Sequence, residues 1–252
     1  MKHEERIKLV NDYAKRLLSK HGDDLIYFGV GGSTYWKKER EDSDIDGFIV
    51  TSSKKYWPSS NWPDYIFKDI AISIGYYTLE ELDNIIKEPK YRWPYRVYRT
   101  MHNLPIYQKY DLVSRYKKII SEIDTQKFID AATDELIVAM SCIGKINYNA
   151  VNSSLGALRS SIMILQEFTD MVVALLNKAM LGSGFSIENI EFIAKYQKIP
   201  KGYVELSKTM WGSNNIEELH SASNQLLENT ISFAEENGVC IPKYESVTDL
   251  PV

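Results

Sequence analysis

Residues 25–51 read LIYFGVGGSTYWKKEREDSDIDGFIVT, and the fold turns on how they are read. An apolar run from Leu25 to Val30 breaks at Gly31-Gly32 into Ser33-Thr34. It then crosses a charged segment and resumes at Ile45 as a second apolar run with Asp44 and Asp46 at its head. That pattern is strand, turn, strand. Side chains alternate faces along a strand, so Asp44 and Asp46 project from one face while Ile45 turns into the core. Two adjacent carboxylates repel unless a cation sits between them. Hard oxygen ligands suit Mg²⁺, which takes one or two carboxylates and completes its shell with water and phosphate oxygens. Glycines let the backbone come close to a phosphate, with N–H groups and the Ser33 hydroxyl as donors. Alone, Gly-Gly-Ser is ordinarily just a turn and Asp-x-Asp a solvated strand end. Together, each at a strand terminus, they describe a metal-dependent nucleoside triphosphate site with Asp44 and Asp46 as ligands and Gly32, Ser33 and Thr34 on the phosphates.

Composition frames this reading. The chain has 252 residues, 44% hydrophobic and 25% charged, enough for one large or two modest domains. A net charge of −4 is unlike a nucleic-acid binder, which is normally basic, and suits a cationic substrate. Cys142 and Cys240 lie far apart with no Cys-x-x-Cys spacing, which points to a reducing cytoplasm. MKHEERIKLV is charged, unlike a signal peptide, and the most apolar helix, near residues 160–181, carries Gln166, Glu167 and Asp170, so no membrane span is expected. His3, His21, His102 and His220 are scattered and form no catalytic or metal-ligand pattern.

Working outward, Ile7, Val10, Ala14, Leu17 and Leu18 recur at helical spacing over Glu4–Lys20, and Gly22 ends that helix. Lys37 to Asp42 form a mixed-charge loop, from which Lys37 or Lys38 would lean over a triphosphate. Residues 52–64 are a Pro/Ser-rich excursion and Tyr65–Tyr77 one further strand. Thr78-Leu79-Glu80-Glu81 is a capping box opening a helix that stops at Glu88-Pro89. Arg92, Arg96 and Arg99 sit among aromatics in residues 91–107; their stems cover apolar surface, with a phosphate role as the less favoured alternative. LPIYQKYD closes the first domain as an edge strand, and a connecting helix spans 111–123. Beyond Asp124 the pattern is helical: one long helix to Val151, then 154–181, 186–198 opening at Ser186, and 215–237, an antiparallel bundle. The fold class is α+β, with domains 1–123 and 124–252.

Gly-Gly-Ser followed by Asp-x-Asp resembles the signature of the nucleotidyltransferase superfamily. HEERIKLVNDYAKRLLSKHGDDLIYFGVGGS at one end, and IPKGYVELSKTMWG with EENG at the other, resemble the aminoglycoside nucleotidyltransferase family, whose members adenylylate kanamycin and related antibiotics. The resemblance implies a polymerase-beta-like N-terminal domain, a helical C-terminal domain, Mg²⁺ and ATP, a small hydroxyl-bearing acceptor, and a homodimer. That family places a third carboxylate on the strand after Asp-x-Asp, at the position of Ser73, which cannot replace a carboxylate on a metal. Asp69 lies on the same strand face roughly 13 Å away at about 3.3 Å per residue, so either a bulge or register shift brings it in or the third ligand is missing. The family's general-base glutamate falls on Ser141, and its phosphate-contacting lysine on Lys145. A serine hydroxyl does not take up a proton near neutral pH, which leaves the role vacant or moved to Asp134 or Glu135. Asp130, Asp134 and Glu135 are also candidates for a polycationic acceptor. The leading expectation is transfer of AMP from ATP to an aminoglycoside hydroxyl. The rivals are a weakened or non-catalytic binding protein of the same fold and, ranked last, an antitoxin-type protein adenylyltransferase.

Overall fold

The computed structural model describes residues 1–182 and 187–242. Its contacts divide into two compact units, Met1–Glu88 with Tyr95–Ile123, and Pro89–Pro94 with Asp124–Val252.

The first unit begins with helix α1 (His3–His21), ended by Gly22 at φ +54°. Strands β1 (Leu25–Val30), β2 (Ile45–Thr51), β3 (Asp64–Phe67), β4 (Ile70–Thr78) and β5 (Leu104–Gln108) form one sheet in the order β3-β4-β2-β1-β5. Strands β2 and β4 run parallel, and the other neighbours are antiparallel. Val10, Ala14 and Leu17 of α1 pack on Leu25, Phe28, Ile45, Ile49, Ile70 and Ile74, so one sheet face is the core. Because Ile45 points into it, Asp46 projects from the opposite face. Between the strands lie the short helix α2 (Gly32–Trp36) and α3 (Leu79–Lys87). The N–H of Glu81 donates to Thr78 Oγ1 at 3.1 Å and that of Thr78 to Glu81 Oε2 at 3.0 Å, the reciprocal cap that the sequence announces. Helices α4 (Trp93–Met101) and α5 (Leu112–Ser121) follow, α5 capped by Asp111.

One expected element divides. The run Tyr65–Tyr77 is a hairpin, with Phe67 paired to Ile70 and the turn residues Lys68 and Asp69 at φ +48° and +65°. A two-residue turn between twisted antiparallel strands needs left-handed backbone at both positions, usually signalled by Asn-Gly. Lys-Asp carries no such signal inside a run of aromatic and β-branched residues, so the sequence reads as one strand.

The second unit contains α6 (Thr125–Ser141), α7 (Ile143–Val151), α8 (Leu155–Leu176), α9 (Glu188–Ile193), α10 (Tyr203–Gly212) and α11 (Ile216–Glu236). Every residue of α8 from Leu165 to Leu175 is buried, which makes it the central helix. Asn215 caps α11 by accepting from the N–H groups of Glu217 and Glu218. The expected long helix from Asp124 to Val151 is interrupted at Cys142. There the Ser141 hydroxyl and the Cys142 thiol both donate to the Val138 carbonyl, at 2.7 and 3.4 Å, and such back-bonding bends a helix. Ser186 lies outside the described residues; α9 starts at Glu188 and is shorter than the expected 186–198. Among the described residues no helix is long and apolar enough to cross a membrane.

Replacing Lys68-Asp69 by Asn-Gly relieves two left-handed side chains, net of the chain entropy of glycine. It is expected to raise stability by about 0.5–1 kcal/mol, read as a higher urea midpoint at unchanged slope.

Candidate active site

Strand β1 ends beside the start of β2, with Val30 paired to Gly47, so the turn after β1 falls next to Asp46. The Gly31 N–H donates to the Asp46 carbonyl at 2.9 Å. Gly32 sits at φ +57°, and a Cβ there would collide with the Asp46 carboxylate. The turn needs glycine for both reasons. Beyond it, the hydroxyls of Ser33 and Thr34 are buried without a hydrogen-bond partner, and Thr34 is only 1% exposed. Buried polar groups are normally satisfied, and orphaned hydroxyls beside a glycine turn suit the oxygens of a phosphate. The two expected lysines are exposed, Lys37 as the left-handed cap of α2.

Asp44 and Asp46 stand two residues apart at the head of β2, Asp44 exposed and Asp46 half-buried. Burial pushes the Asp46 carboxyl above its ordinary value and the Asp44 charge adds to the rise, while Arg99 opposes it. Such a pair fits a hard divalent cation that takes one or two carboxylates and fills its shell from water and phosphate. Among the described residues no group of three or more His, Cys, Asp or Glu side chains is placed to hold a metal.

The backbone of Asp44 is anchored by a residue that sequence reading passed over. Arg6 is fully buried and donates to the carbonyls of Asp44 and Arg40 at 2.9 Å, Glu41 at 3.3 Å and Met1 at 3.1 Å. Its one sequence signal is a charge next to the apolar stripe of α1.

Ser73 lies directly across the parallel pair from Asp46, and its hydroxyl donates to Asp64 Oδ1 on β3 at 2.5 Å. Asp69 is at the hairpin tip, where with its neighbour Lys68 it lines a cleft of about 700 Å³ shared with Lys8 and Asp12 of α1. Neither a bulge nor a register shift brings Asp69 to Asp44 and Asp46, because the residue belongs to the turn and not to the strand.

Residues 110–240 match the sequence model of the KNTase C-terminal domain. The chain belongs to that family. Aminoglycoside nucleotidyltransferases (4') from a Bacillus species and from Staphylococcus aureus are each 28% identical over 131 residues, 52% of this chain and 51% of theirs. The match thus spans about half the length of these curated relatives. A nucleotidyltransferase-like protein from Exiguobacterium sibiricum 255-15 shares the fold at a TM-score of 0.50 and 8% identity, covering 90% of this chain and 75% of that one.

Within the KNTase C-terminal domain, Lys145 is exposed on α7 and forms no ion pair among the described residues. The exposed Ser141 spends its proton on the Val138 carbonyl. Asp134 is exposed, whereas Glu135 is buried, 3% exposed, and accepts the Arg92 backbone N–H at 3.3 Å. Desolvation pushes Glu135 to about 7. The Arg92 guanidinium pairs with buried Glu167 at 2.8 Å, and Arg92 holds a left-handed φ of +59°. One turn along α8, Asp170 accepts from Tyr203 Oη and, at 2.6 Å, from Gln166 Nε2, and burial raises it to about 7. Along the chain these α8 polar residues stand out only as interruptions of an apolar run.

Glu135 and Asp170 titrate higher when folded than their ordinary values of 4.5 and 3.8. The folded chain therefore binds extra protons between those values and about 7, and these two groups lower stability as pH rises through that window and no further above it. Relative to wild type, Glu135→Gln with Asp170→Asn is expected to gain on the order of 2 kcal/mol per group between pH 4.5 and pH 8, measured as the difference in urea unfolding free energy.

Proposed function

We propose that this protein is a Mg²⁺-dependent nucleotidyltransferase that moves AMP from ATP to a hydroxyl of a small acceptor, an aminoglycoside. The observation that carries the reading is the Asp44-Asp46 pair set against a glycine turn whose Ser33 and Thr34 hydroxyls are buried and unpartnered. Asp44 and Asp46 would hold the divalent ion, which when bound supplies charge neutralisation at the α-phosphate and the departing pyrophosphate. Gly32, Ser33 and Thr34 grip the phosphate tail, and Lys145 contributes a further phosphate contact by family resemblance. The names of the curated relatives point to the acceptor class. A net charge of −4 favours encounter with a polycation. The protein acts in the cytoplasm as a homodimer.

A second reading, a nucleotide-binding protein without turnover, is favoured by two positions. Ser73 stands across from Asp46 where the resemblance implies a carboxylate, and Ser141 where it implies a base. General base catalysis is worth about 10²–10⁴-fold, so its loss slows transfer without preventing nucleotide binding.

Incubation with Mg²⁺, labelled ATP and a panel of aminoglycosides is expected to release pyrophosphate with at least one acceptor. Asp46→Ala is expected to cut that release by more than about 10²-fold. ATP binding with no release on any acceptor would establish the second reading, and absence of ATP binding would remove both.

A further inference from the structure

The three arginines of the 91–101 segment have different fates. Arg92 is committed to Glu167 within the helical unit. Arg96 and Arg99 are exposed on α4, and neither forms an ion pair among the described residues. Residues three and four apart share a helix face, so Arg96, Arg99 and Asn103 line one side of α4 and its C-terminal turn. Asn103 continues that turn by donating its amide to the carbonyls of Arg99 and, at 3.3 Å, Thr100.

That side faces the glycine turn. Asn103 Oδ1 lies 2.8 Å from where a Cβ on Gly31 would stand, and the ring of His102 stacks on Tyr98 at 4.1 Å and on Trp36 of α2 at 5.7 Å. The end of α4 is thus clamped onto the segment that carries Ser33 and Thr34. One turn back, the charges of Arg99 and Arg96 both act on Tyr77. Asp46 pairs with Ser73 across the parallel strands, and Tyr77 is four residues on from Ser73, so Asp46 and Tyr77 project from the same sheet face. Two guanidiniums with no carboxylate of their own therefore overlook the face from which the metal-binding pair projects.

We propose that Arg99 and Arg96 bind the β and γ phosphates of the nucleotide and hold the pyrophosphate as it leaves. This rests on the reading of the site as a nucleotide site. In the transfer, the acceptor oxygen bonds to the α-phosphorus and the bond from that phosphorus to the bridging oxygen breaks. Pyrophosphate departs with the bonding pair, and the acceptor proton passes to water. Planar guanidinium forks match phosphate oxygens two at a time. Their donors are in place before the charge builds up on the leaving group, and a preorganised cation of this kind lowers the barrier as well as the dissociation constant. With two carboxylates at the head of β2 and serine at the third position, the site carries less negative charge against which a polyphosphate must bind.

The test is calorimetric titration of wild type, Arg99→Gln, Arg96→Gln and the double variant. Ligands are inorganic tripolyphosphate in chelator, and ATP and AMP with Mg²⁺. Each single change is expected to weaken tripolyphosphate and ATP about 10-fold and the double change about 100-fold, with AMP affinity held within about twofold. Thermal unfolding of the variants, whose replaced side chains are exposed, is expected to match wild type. Unchanged tripolyphosphate and ATP affinity in the double variant overturns the proposal. Arginine-dependent tripolyphosphate binding without ATP binding keeps the anion site and removes the nucleotide reading. No binding of either ligand by wild type overturns both.

Discussion

The close approach of the Gly31–Gly32 turn to Asp46 is the contact on which the site depends. One backbone hydrogen bond joins the turn to the carbonyl of Asp46, and the missing Cβ of Gly32 leaves the space its carboxylate occupies. The contact exists because β1 and β2 are antiparallel neighbours, with the end of one beside the beginning of the other. Any side chain on Gly32 would meet both a left-handed backbone and a carboxylate, so the turn and the Asp44-Asp46 pair form one structural unit.

Around that unit the chain uses arginines to hold irregular backbone. Arg6 takes four carbonyls that no regular element satisfies, and so fixes the charged loop leading to Asp44. Unpaired buried carbonyls are expensive, and a guanidinium satisfies several at once. Arg92 plays a comparable part in the helical unit, its side chain on Glu167 and its backbone on Glu135. Glu135 is therefore tied into a buried network, although its raised titration point is of the kind a general base needs.

Some of this was readable along the chain. The helical stripe of α1, the Thr78/Glu81 cap, the last helix from near 215 and the edge strand at LPIY rest on periodicity or short-range side-chain chemistry, and all form where the residues indicate. The Asp44-Asp46 pair was legible because alternation along a strand is local. The Lys68-Asp69 turn and the break at Cys142 were not. Each depends on backbone geometry that no residue there advertises: left-handed positions filled by Lys and Asp, and a carbonyl claimed by Ser and Cys side chains.

By itself the sequence determined the α+β order of elements, the carboxylate pair, the glycine turn and the departures at Ser73 and Ser141. Tertiary structure alone decided that Ser73 faces Asp46 across a parallel register, that Asp69 is removed to a hairpin tip, that Arg6 holds the loop before Asp44, and that Arg92 parts company with Arg96 and Arg99. The physical reason is range. Hydrophobic period and capping act over a few residues, whereas strand register and charge pairing join residues tens of positions apart, and only the folded chain sets which of them meet.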